Sequence, residues 1–452
     1  MSAAAGLRVG WLVEQFPSWS ETFLLRQMTG LIDRGVDLTI VALRRGDLRG
    51  NGGGGDGDDA GHDLVRRYGL VERARFGPTI EPGVAGRASA VAERWREQGV
   101  VRGGVAMGRS LWPGAGAARL GRRAWTLRPF VEAGVWRGLP RFDVVVASYG
   151  PLGAAAAEWR RRGVCEAGAL VTFFRGYDVG RVLRATPGRY RRLFRPPPIG
   201  GDRFLAVSED LAAALRAAGC EAPRLEVLRG GVDLAESEAV RPPTREPGQA
   251  TRLLSVCRLV EKKGLEVALE ALGLVAEAGR EFHYEIVGDG PRRGELERAV
   301  RRWGLAERVT LAGWRDQSAV RAALRGCHLV LCPSVTSADG DREGVPNIVK
   351  EALAMRRPVV ATRHGGIPEA VEDGVGGRLV AERDPVALAD AILELIDQPQ
   401  RWEVMGEAGR AGVEARFDLE KLNDRLAEIL VSVARGAGER RVGASGVGGV
   451  EA

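Results

Sequence analysis

The chain has 452 residues, of which 45% are hydrophobic, enough to bury a large core and to favour two or more domains over one. It has no apolar run of about 18 residues, and its N-terminus "MSAAAGLRVGWLVEQ" lacks a signal-peptide pattern, so we expect a cytoplasmic protein. The five cysteines form no CxxC pair and the chain has only four histidines, which argues against a metal centre. We therefore predict no metal and no cofactor.

Positive charge is concentrated in the first half of the chain. Residues 1–240 contain 35 arginines against 26 acidic residues, whereas residues 241–452 contain 31 basic and 33 acidic residues. Residues 87–141 are especially basic and also contain Trp95, Trp112, Trp125 and Trp136. No nucleic-acid recognition motif is visible, so nucleic acid is not an expected partner. This segment suits an anionic membrane surface at the inner face of the cell membrane, and the alternative is a solvated arginine-rich surface.

In chain order, the first half predicts a βαβ unit and then further strands that alternate with helices. "LRVGWLV" and "VDLTIVAL" are typical of strands, and the helix between them is predicted to start with a capping box at Ser18 and Glu21 and to end at Gly35. The Gly/Asp-rich segment at about 46–62 predicts a mobile loop. Later apolar runs, "FDVVVAS", "GALVTFF" and "RFLAVS", each precede a helical pattern. This alternation favours a doubly wound parallel sheet over residues 1–230.

A second series of strands and helices follows a break in the pattern. Residues 231–250 lose periodicity and gain proline, which indicates an interdomain linker. Residues 251–415 again alternate strand and helix, so the chain is predicted to be an α/β protein with two doubly wound domains. A helical pattern at 416–435 precedes a Gly-rich tail at 436–452 that we expect to be disordered.

Polar motifs follow the successive strands of the second domain. They are Arg258 with Lys263, "GDGP" at 288–291, Gly313, the loop that contains Glu343, and "RHGG" at 363–366. Each alone also fits an ordinary turn or a solvated surface. Ligands of parallel sheets bind beyond the carboxyl ends of the strands, so the motifs should converge there. Cations and a helix start near Pro346 suit a phosphate, and the carboxylates of Glu343 and Glu351 can accept hydrogen bonds from hydroxyl groups. A nucleotide sugar has both groups.

The motifs "FPSWSETF", "CRLVEKKG", "VGDGP", "SADGDREGVPNIVKEALA" and "RHGGIPEAV" resemble those of the retaining GT-B glycosyltransferases of family 4 (group 1), most closely the colanic-acid and exopolysaccharide type. The resemblance spans residues 7 to about 430. It implies two Rossmann-like domains that face each other across a cleft, an acceptor-binding first domain, a nucleotide-sugar-binding second domain, and a helix at 416–435 that returns to the first domain. It also implies a metal-independent, retaining hexosyltransferase that uses a UDP- or GDP-linked donor and a lipid-linked, polysaccharide or other small-molecule glycan acceptor.

The same resemblance implies roles for individual residues. Arg258 and Lys263 correspond to the pair that holds the diphosphate, Glu343 to a donor-sugar ligand, and Glu351 to the ribose ligand, while Lys262 is expected to be a neighbour rather than a ligand. The implied catalytic residues are Arg258, Lys263, Glu343 and Arg175. The implied donor-binding residues are Gly288, Asp289, Gly290, Gly344, Val345, Pro346, Asn347, Glu351, Gly365 and Gly366. The implied acceptor-side residues are Ser20, Glu21, Thr22 and Asp178.

One position departs from the family pattern. The family commonly has His-Gly-x-Asp where this chain has Arg175 followed by Gly176 and Asp178, so a permanent cation replaces a histidine. One hypothesis is that Arg175 pairs with the carboxylate of an acidic donor sugar such as a uronic acid. The alternative is that it turns away to Asp178 or to solvent and that the sugar is neutral. Two other functions stay open: a nucleotide-sugar-binding protein impaired in catalysis, and another GT-B-like enzyme such as a phosphorylase or an epimerase.

Overall fold

The computed structural model describes residues 3–18, 21–46, 60–77, 133–186, 188, 190–197, 199–246 and 248–446. These residues form two separate parallel sheets, each with helices packed against it, and the predicted α/β class is confirmed. The segment expected as a mobile loop at about 46–62 lies mostly outside the described residues, and its last three residues belong to a helix.

The first sheet has seven strands in the described part of the chain. They are β1 (Arg8–Phe16), β2 (Asp37–Arg45), β3 (Ala74–Phe76), β4 (Phe142–Ala147), β5 (Ala167–Phe174), β6 (Arg203–Ala206) and β7 (Leu225–Val227), in the order β3-β2-β1-β4-β5-β6-β7. The accompanying α-helices are α1 (Thr22–Asp33), α2 (Ala60–Arg67), α3 (Gly150–Arg161) and α4 (Glu209–Ala217). Shorter turns are 3-10 helices at Ala133–Trp136 and Ala222–Arg224 and a π-helical turn at Asp178–Val182 that continues through Leu183–Ala185.

The second sheet has six strands. They are β8 (Thr251–Val256), β9 (Phe282–Val287), β10 (Val309–Gly313), β11 (Leu329–Cys332), β12 (Val359–Thr362) and β13 (Gly377–Val380), in the order β10-β9-β8-β11-β12-β13. Its helices are α5 (Leu265–Glu277), α6 (Arg293–Arg302), α7 (Gln317–Gly326), α8 (Asn347–Ala354), α9 (Ile367–Ala370), α10 (Pro385–Asp397) and α11 (Arg401–Arg416), with a 3-10 turn at Glu261–Lys263.

The sequence of the central strands explains why both sheets are parallel and covered on two faces. Val144, Val145 and Val146 of β4 are fully buried although successive side chains of a strand point to opposite faces. Strands that are buried on both faces are typical of doubly wound sheets. In each sheet the strand order reverses once, between β1 and β4 and between β8 and β11. Crevices for ligands form at such reversals, beyond the carboxyl ends of the strands.

The C-terminal helix α12 (Leu419–Gly446) packs on the first domain. Leu426, Leu430 and Val433 belong to the hydrophobic core of that domain. The helix extends past the predicted limit of 435, so residues 436–446, expected as part of a disordered tail, are helical. Ala437 is buried in the same core and Arg440 is ion-paired with Asp202, which together favour a continued helix over the predicted disorder. Residues 447–452 lie outside the described residues.

Two local predictions for the first domain differ from the structure. The capping box is wrong: α1 begins at Thr22, Glu21 occupies the N-cap position, and the Glu21 side chain makes no cap hydrogen bond. Trp136 is not part of an exposed basic face, because it is buried in the core against Phe142 and Trp159. Most of the segment 87–141, including the other three tryptophans, lies outside the described residues. Periodicity alone could not distinguish an exposed aromatic residue from a buried one.

Candidate active site

A cleft of about 950 Å³ lies between the two domains, at the strand reversal of each sheet. It brings together most of the predicted site residues: Arg258, Lys263, Glu343, Arg175, Gly288, Asp289, Gly344, Val345, Pro346, Asn347, Glu351, Glu21 and Thr22. Four others do not line it: Gly290, Gly365, Gly366 and Asp178. Ser20 lies outside the described residues.

The loop after β8 carries the cationic residues of the second-domain wall. Its 3-10 turn ends at Gly264, which has a left-handed backbone (φ 62°) and lies so close to the carbonyl oxygen of Pro333 that a Cβ atom would overlap it. This close approach places Lys263 between β8 and β11. Arg258 precedes the turn and faces the cleft with an exposed guanidinium group. Among the described residues, no hydrogen bond or ion pair engages that group.

Glu343 reaches this wall from the loop after β11 and forms ion pairs with two lysines. Its Oε1 atom lies 3.2 Å from the Nζ atom of Lys262 and 3.2 Å from that of Lys263. Burial alone would raise the pKa of Glu343, but the two ammonium groups outweigh it and lower the pKa to about 2. Burial likewise disfavours the Lys263 ammonium, yet Glu343 raises its pKa. Glu343 is therefore ionised and its carboxylate is held in place at neutral pH.

Lys262 belongs to the same ion-pair cluster. Its Nζ atom contacts Asp341 at 3.1 Å as well as Glu343, so it joins two acidic residues of the same loop. These contacts are with protein residues, so the expectation that Lys262 is a neighbour rather than a ligand stays a prediction. Its adjacency to Lys263, in a chain with only four lysines, already singles out the pair in the sequence.

Three predicted glycines support the cleft from behind. A Cβ atom at Gly290 would lie 2.5 Å from the carbonyl oxygen of Leu259, so Gly290 allows the loops after β8 and β9 to meet. Gly366 donates its N–H to the carbonyl oxygen of Gly344 (2.9 Å), and Gly365 lies against the carbonyl oxygen of Glu343. They position the loops that line the cleft without lining it themselves.

Helix α8 supplies the second carboxylate of the wall. Pro346 is its N-cap residue and Asn347 its first residue, so the helix N-terminus opens into the cleft. Glu351 lies one turn further along, and no hydrogen bond or ion pair engages its carboxylate within the described ranges. Burial raises the pKa of Glu351, while Arg26 and Lys350 nearby oppose the shift. This half-buried carboxyl group faces the cleft without a partner and is suited to a hydroxyl group of a ligand.

Lys350 is a residue of the cleft that the sequence reasoning missed. Its side chain is only 2% exposed, and its ammonium group donates to the carbonyl oxygen of Gly230 (2.7 Å) in the segment that leads into the linker. Burial lowers the pKa of Lys350 to about 8. It is one of four lysines in the chain, and this rarity could have directed attention to it.

In the first-domain wall, Arg175 turns inward. Its guanidinium group donates to Gln27 Oε1 (2.7 Å) and to the carbonyl oxygen of Ser148 (3.2 Å), and lies over the rings of Phe23 (4.8 Å) and Phe173 (4.3 Å). Burial lowers its pKa to about 10. The two nitrogen atoms that would form a side-on pair with a carboxylate, Nε and one Nη, therefore already have partners.

Asp178 shapes the same wall through main-chain contacts. Its carboxylate accepts hydrogen bonds from the N–H groups of Gly150 (3.0 Å), Arg175 (3.0 Å) and Gly176 (2.9 Å), and the side chain is fully buried. The acid thus holds the loop after β5 and does not pair with the Arg175 guanidinium. Of the two alternatives for Arg175, the one in which it turns to Asp178 or to solvent names the wrong partner, because the guanidinium donates to Gln27 and Ser148.

A tyrosine that the sequence reasoning missed completes this wall. Tyr149 donates its hydroxyl to Glu21, and its ring lies 5.2 Å from that of Tyr177, which also lines the cleft. Burial raises the pKa of Glu21, although the hydrogen bond from Tyr149 opposes the shift. Glu21 and Tyr149 are 128 residues apart in the chain, so no local signal could have paired them.

The two domains touch directly beside the cleft. A Cβ atom at Gly176 would lie 2.8 Å from the carbonyl oxygen of Arg342, so the loop after β5 packs on the loop that carries Glu343. Arg342 pairs with Asp210 (3.0 Å) across the same junction. The two walls are therefore held close together around the cleft.

The described residues contain no group of three His, Cys, Asp or Glu side chains that could hold a metal ion. None of their helices is both long and apolar enough to cross a membrane.

Comparison with known proteins identifies the family. Residues 250–398 match the family described as glycosyl transferases group 1, and residues 20–236 match glycosyltransferase family 4. WcaL of Escherichia coli K12, whose name assigns it to colanic acid biosynthesis, is 34% identical over 94% of this chain and 99% of its own length. The chain belongs to glycosyltransferase family 4. The resemblance predicted from the sequence motifs is thereby confirmed.

Two further comparisons support this membership and the fold. The amylovoran biosynthesis glycosyltransferase AmsK of Erwinia amylovora is 33% identical to this family 4 chain over 95% of the chain and 100% of its own length. The crystal structure of HepE from Anabaena, in complex with UDP and glucose, superposes with a TM-score of 0.65 at 20% identity and covers 94% of this chain and 100% of its own. The fold is GT-B, as predicted.

Proposed function

We propose that this glycosyltransferase transfers a neutral hexose, with retention of configuration and without a metal ion, from a UDP- or GDP-linked donor to a glycan acceptor. The observation that carries the proposal is the convergence of Arg258, Lys263, Glu343 and Glu351 at the reversal between β8 and β11. The relatives named for colanic acid and amylovoran biosynthesis support a lipid-linked or polysaccharide acceptor in exopolysaccharide assembly.

The nucleotide diphosphate part of the donor binds along the second-domain wall. Arg258 and Lys263 face the phosphates, together with the N-terminal backbone N–H groups of α8. The carboxyl group of Glu351 accepts hydrogen bonds from the ribose hydroxyls, because it lines the cleft and has no protein partner to displace among the described residues. The nucleotide base binds near the loops around Gly288 and Asp289, and the shape of these loops selects which base is accepted.

The sugar part lies between Glu343 and the loop after β5. Glu343 accepts a hydrogen bond from a sugar hydroxyl, and Lys262 and Lys263 keep its carboxylate charged and oriented. The Nε and one Nη atom of Arg175 already donate to Ser148 and Gln27, and its guanidinium lies over two aromatic rings, so a sugar carboxylate that paired side-on would have to displace these contacts. These contacts favour a neutral hexose over a uronic acid.

Transfer breaks the bond between the anomeric carbon and the diphosphate oxygen and forms a bond from that carbon to an acceptor hydroxyl oxygen on the same face. The electrons of the broken bond remain on the diphosphate, and the hydroxyl proton leaves with the diphosphate or to water. Arg258 and Lys263 stabilise the charge that grows on this leaving group, which is the main electrostatic demand of the step. Two side-chain cations supply this stabilisation without a metal ion.

The acceptor binds against the first-domain wall. Glu21 and Tyr149 present hydrogen-bonding groups, and the rings of Tyr149 and Tyr177 offer an apolar surface for a sugar ring. Thr22 lines the same wall, whereas Asp178 acts indirectly by holding the loop after β5. This combination suits a neutral, hydroxyl-rich glycan.

The test is nucleotide release during turnover. The protein is incubated with UDP- and GDP-linked hexoses and a lipid-linked glycan extract, free nucleotide is measured with and without EDTA, and the configuration of the product is read by NMR. We expect acceptor-dependent release that EDTA does not change and a product of the donor's anomeric configuration. Donor binding without release of nucleotide would instead support the second candidate, a nucleotide-sugar-binding protein that does not catalyse transfer. The reason to consider it is that Arg175 replaces a histidine of the family pattern.

We also propose that the protein works at the cytoplasmic face of the cell membrane, attached peripherally through residues 87–141. Because Trp136 is a core residue, the aromatic contribution would come from Trp95, Trp112 and Trp125. Electrostatic attachment weakens with salt. Flotation with anionic vesicles at low salt, lost at high salt, is the expected result, and flotation that salt leaves unchanged would contradict it.

A further inference from the structure

His364 is a fully buried histidine directly behind the Glu343 loop, and both of its ring nitrogens are in use. Its Nε2 atom lies 3.0 Å from the main-chain nitrogen of Glu343, and its Nδ1 atom lies 2.7 Å from Oε1 of Glu382. His364 follows β12 and Glu382 follows β13, so the contacts connect three neighbouring strand ends of the second sheet.

These contacts define the protonation of the imidazole ring. A main-chain N–H can only donate, so Nε2 must be the bare nitrogen that accepts from Glu343. Nδ1 then carries the proton and donates to Glu382. A carboxylate that orients an imidazole in this way selects one tautomer, and a doubly protonated ring could not accept the bond from Glu343.

Glu382 is itself held in place. Its second carboxylate oxygen accepts the main-chain N–H of Thr336 (2.7 Å), in the segment after β11 that leads to Glu343. Burial would raise the pKa of Glu382, but the hydrogen bonds from Thr336 and His364 outweigh it and lower the pKa. The carboxylate is thus ionised. It connects His364 to Thr336 near the start of the loop after β11, and His364 in turn holds Glu343 near the end of the same loop.

We propose that His364 and Glu382 are positioning residues that set the place of the Glu343 carboxylate in the cleft. The imidazole holds the main chain of Glu343 from behind, while Lys262 and Lys263 hold its carboxylate from the front. Neither His364 nor Glu382 lines the cleft, so neither touches the donor. The inference rests on the proposed contact of Glu343 with the donor sugar.

The position also excludes a simple space-filling role. Gly365 and Gly366, which follow the histidine, lie against the carbonyl oxygens of Glu343 and Gly344, so the segment 364–366 contacts the main chain of the Glu343 loop over its whole length. An apolar side chain at 364 would fill the same volume but would leave the Glu343 N–H buried without an acceptor. An unsatisfied buried donor is costly, and the loop would move to satisfy it.

Two conservative variants separate the two hydrogen bonds. In His364→Gln the amide oxygen can reach the place of Nε2 and still accept from Glu343. In His364→Asn the amide nitrogen can take the place of Nδ1 and still donate to Glu382, but nothing accepts from Glu343. Glu382→Gln keeps an acceptor for Thr336 and removes the charge that selects the tautomer. The Asn variant is therefore the critical one, and the Gln variant is its matched control.

The experiment measures kcat and KM for the nucleotide-sugar donor, and the Kd of the nucleotide diphosphate without sugar by calorimetry. We expect His364→Asn to lower kcat/KM by on the order of tenfold to a hundredfold, because a displacement of about 1 Å of an orienting group has such effects. His364→Gln should retain most of the activity. The Kd of the nucleotide diphosphate should change by less than about twofold in both, because that part does not contact Glu343.

Three results would overturn the inference. They are equal losses in the Asn and Gln variants, a parallel loss of nucleotide binding, which would indicate a general fold defect, and full activity of His364→Asn. Absence of turnover in the wild-type protein would instead contradict the proposed function. In that case calorimetry of the nucleotide sugar against the nucleotide diphosphate still tests the positioning role, since only the former should bind more weakly to His364→Asn.

Discussion

The second-domain wall of the cleft is ionic, whereas the first-domain wall is held mostly by hydrogen bonds and aromatic contacts. On the second-domain wall, the ammonium groups of two lysines lower the pKa of Glu343 and keep it charged. On the first-domain wall, burial raises the pKa of Glu21, which is bound to the hydroxyl of Tyr149, and the cation of Arg175 is bound inside the domain. The contrast teaches that ion pairs hold the second-domain wall in place, whereas hydrogen bonds and ring contacts hold the first-domain wall.

The largest expected effect comes from removing a free cation of the second-domain wall. Arg258→Ala should lower kcat on the order of a hundredfold and raise the donor KM much less, because the diphosphate gains charge only as the bond breaks. The exposed Arg302→Ala, on the outer helix α6, is the control. Steady-state kinetics with a single donor measure both constants, and a change confined to KM would contradict the assignment.

The next effect tests the first-domain wall. Glu21→Ala should lower transfer to the glycan acceptor by roughly tenfold or more, since a hydrogen bond to a charged group contributes about 1.5–3 kcal/mol. Slow hydrolysis of the donor, with water as acceptor, should be nearly unchanged. Glu166→Ala, an exposed residue of the same domain, serves as the control. Equal losses of transfer and hydrolysis would show that Glu21 does not distinguish the acceptor from water.

Glu351 offers a test in which ligand binding and stability move in opposite directions. Glu351→Gln should raise the donor KM by about tenfold, because the charged acceptor for the ribose is lost. Burial raises the pKa of Glu351 above 4.5 in the folded protein, so the folded state binds the proton more tightly than the unfolded state. The resulting stabilisation is complete below pH 4.5 and is lost as the pH rises through the folded pKa.

The carboxyl group of Glu351 therefore costs the empty protein stability at pH 7, and Glu351→Gln should melt at a higher temperature than the wild type there. The difference should vanish towards pH 4, where both side chains are neutral. Thermal melting across this pH range, with the exposed Glu439→Gln as control, measures it. A variant that is less stable than the wild type at pH 7 would show that Glu351 has a stabilising partner.

The smallest expected effect concerns donor choice by Arg175. Because its guanidinium is engaged inside the first domain, Arg175→Lys should cost about 1–3 kcal/mol of stability through lost hydrogen bonds and ring contacts. The preference for a neutral over an acidic donor should stay the same. Chemical denaturation and a pair of donors, a nucleotide-linked hexose and its uronic acid, provide the measurements. A wild-type preference for the uronic acid would restore the hypothesis that Arg175 binds a sugar carboxylate.

The predictability of the two walls from sequence also differs. On the second-domain wall, Arg258, Lys263 and Glu343 could be predicted because each follows an apolar strand, and parallel strands end at one edge of a sheet. On the first-domain wall the strands are equally visible, but no local signal indicates Tyr149, and Glu21, which the family resemblance implies as an acceptor-side residue, is wrongly predicted to take part in a helix cap. Both errors concern the direction of a side chain, which the period of a strand or helix does not determine once several polar partners compete.

The amino-acid sequence by itself determined the two doubly wound domains and the family, because these depend on local periodicity and on residues close together in the chain. Tertiary structure alone decided that Arg175 turns to Gln27, 148 residues away, that Glu343 is held by two lysines, and that α12 continues to Gly446. These outcomes depend on contacts between segments far apart in sequence. The free energy of such contacts exists only after the domains have packed, so no local pattern carries it.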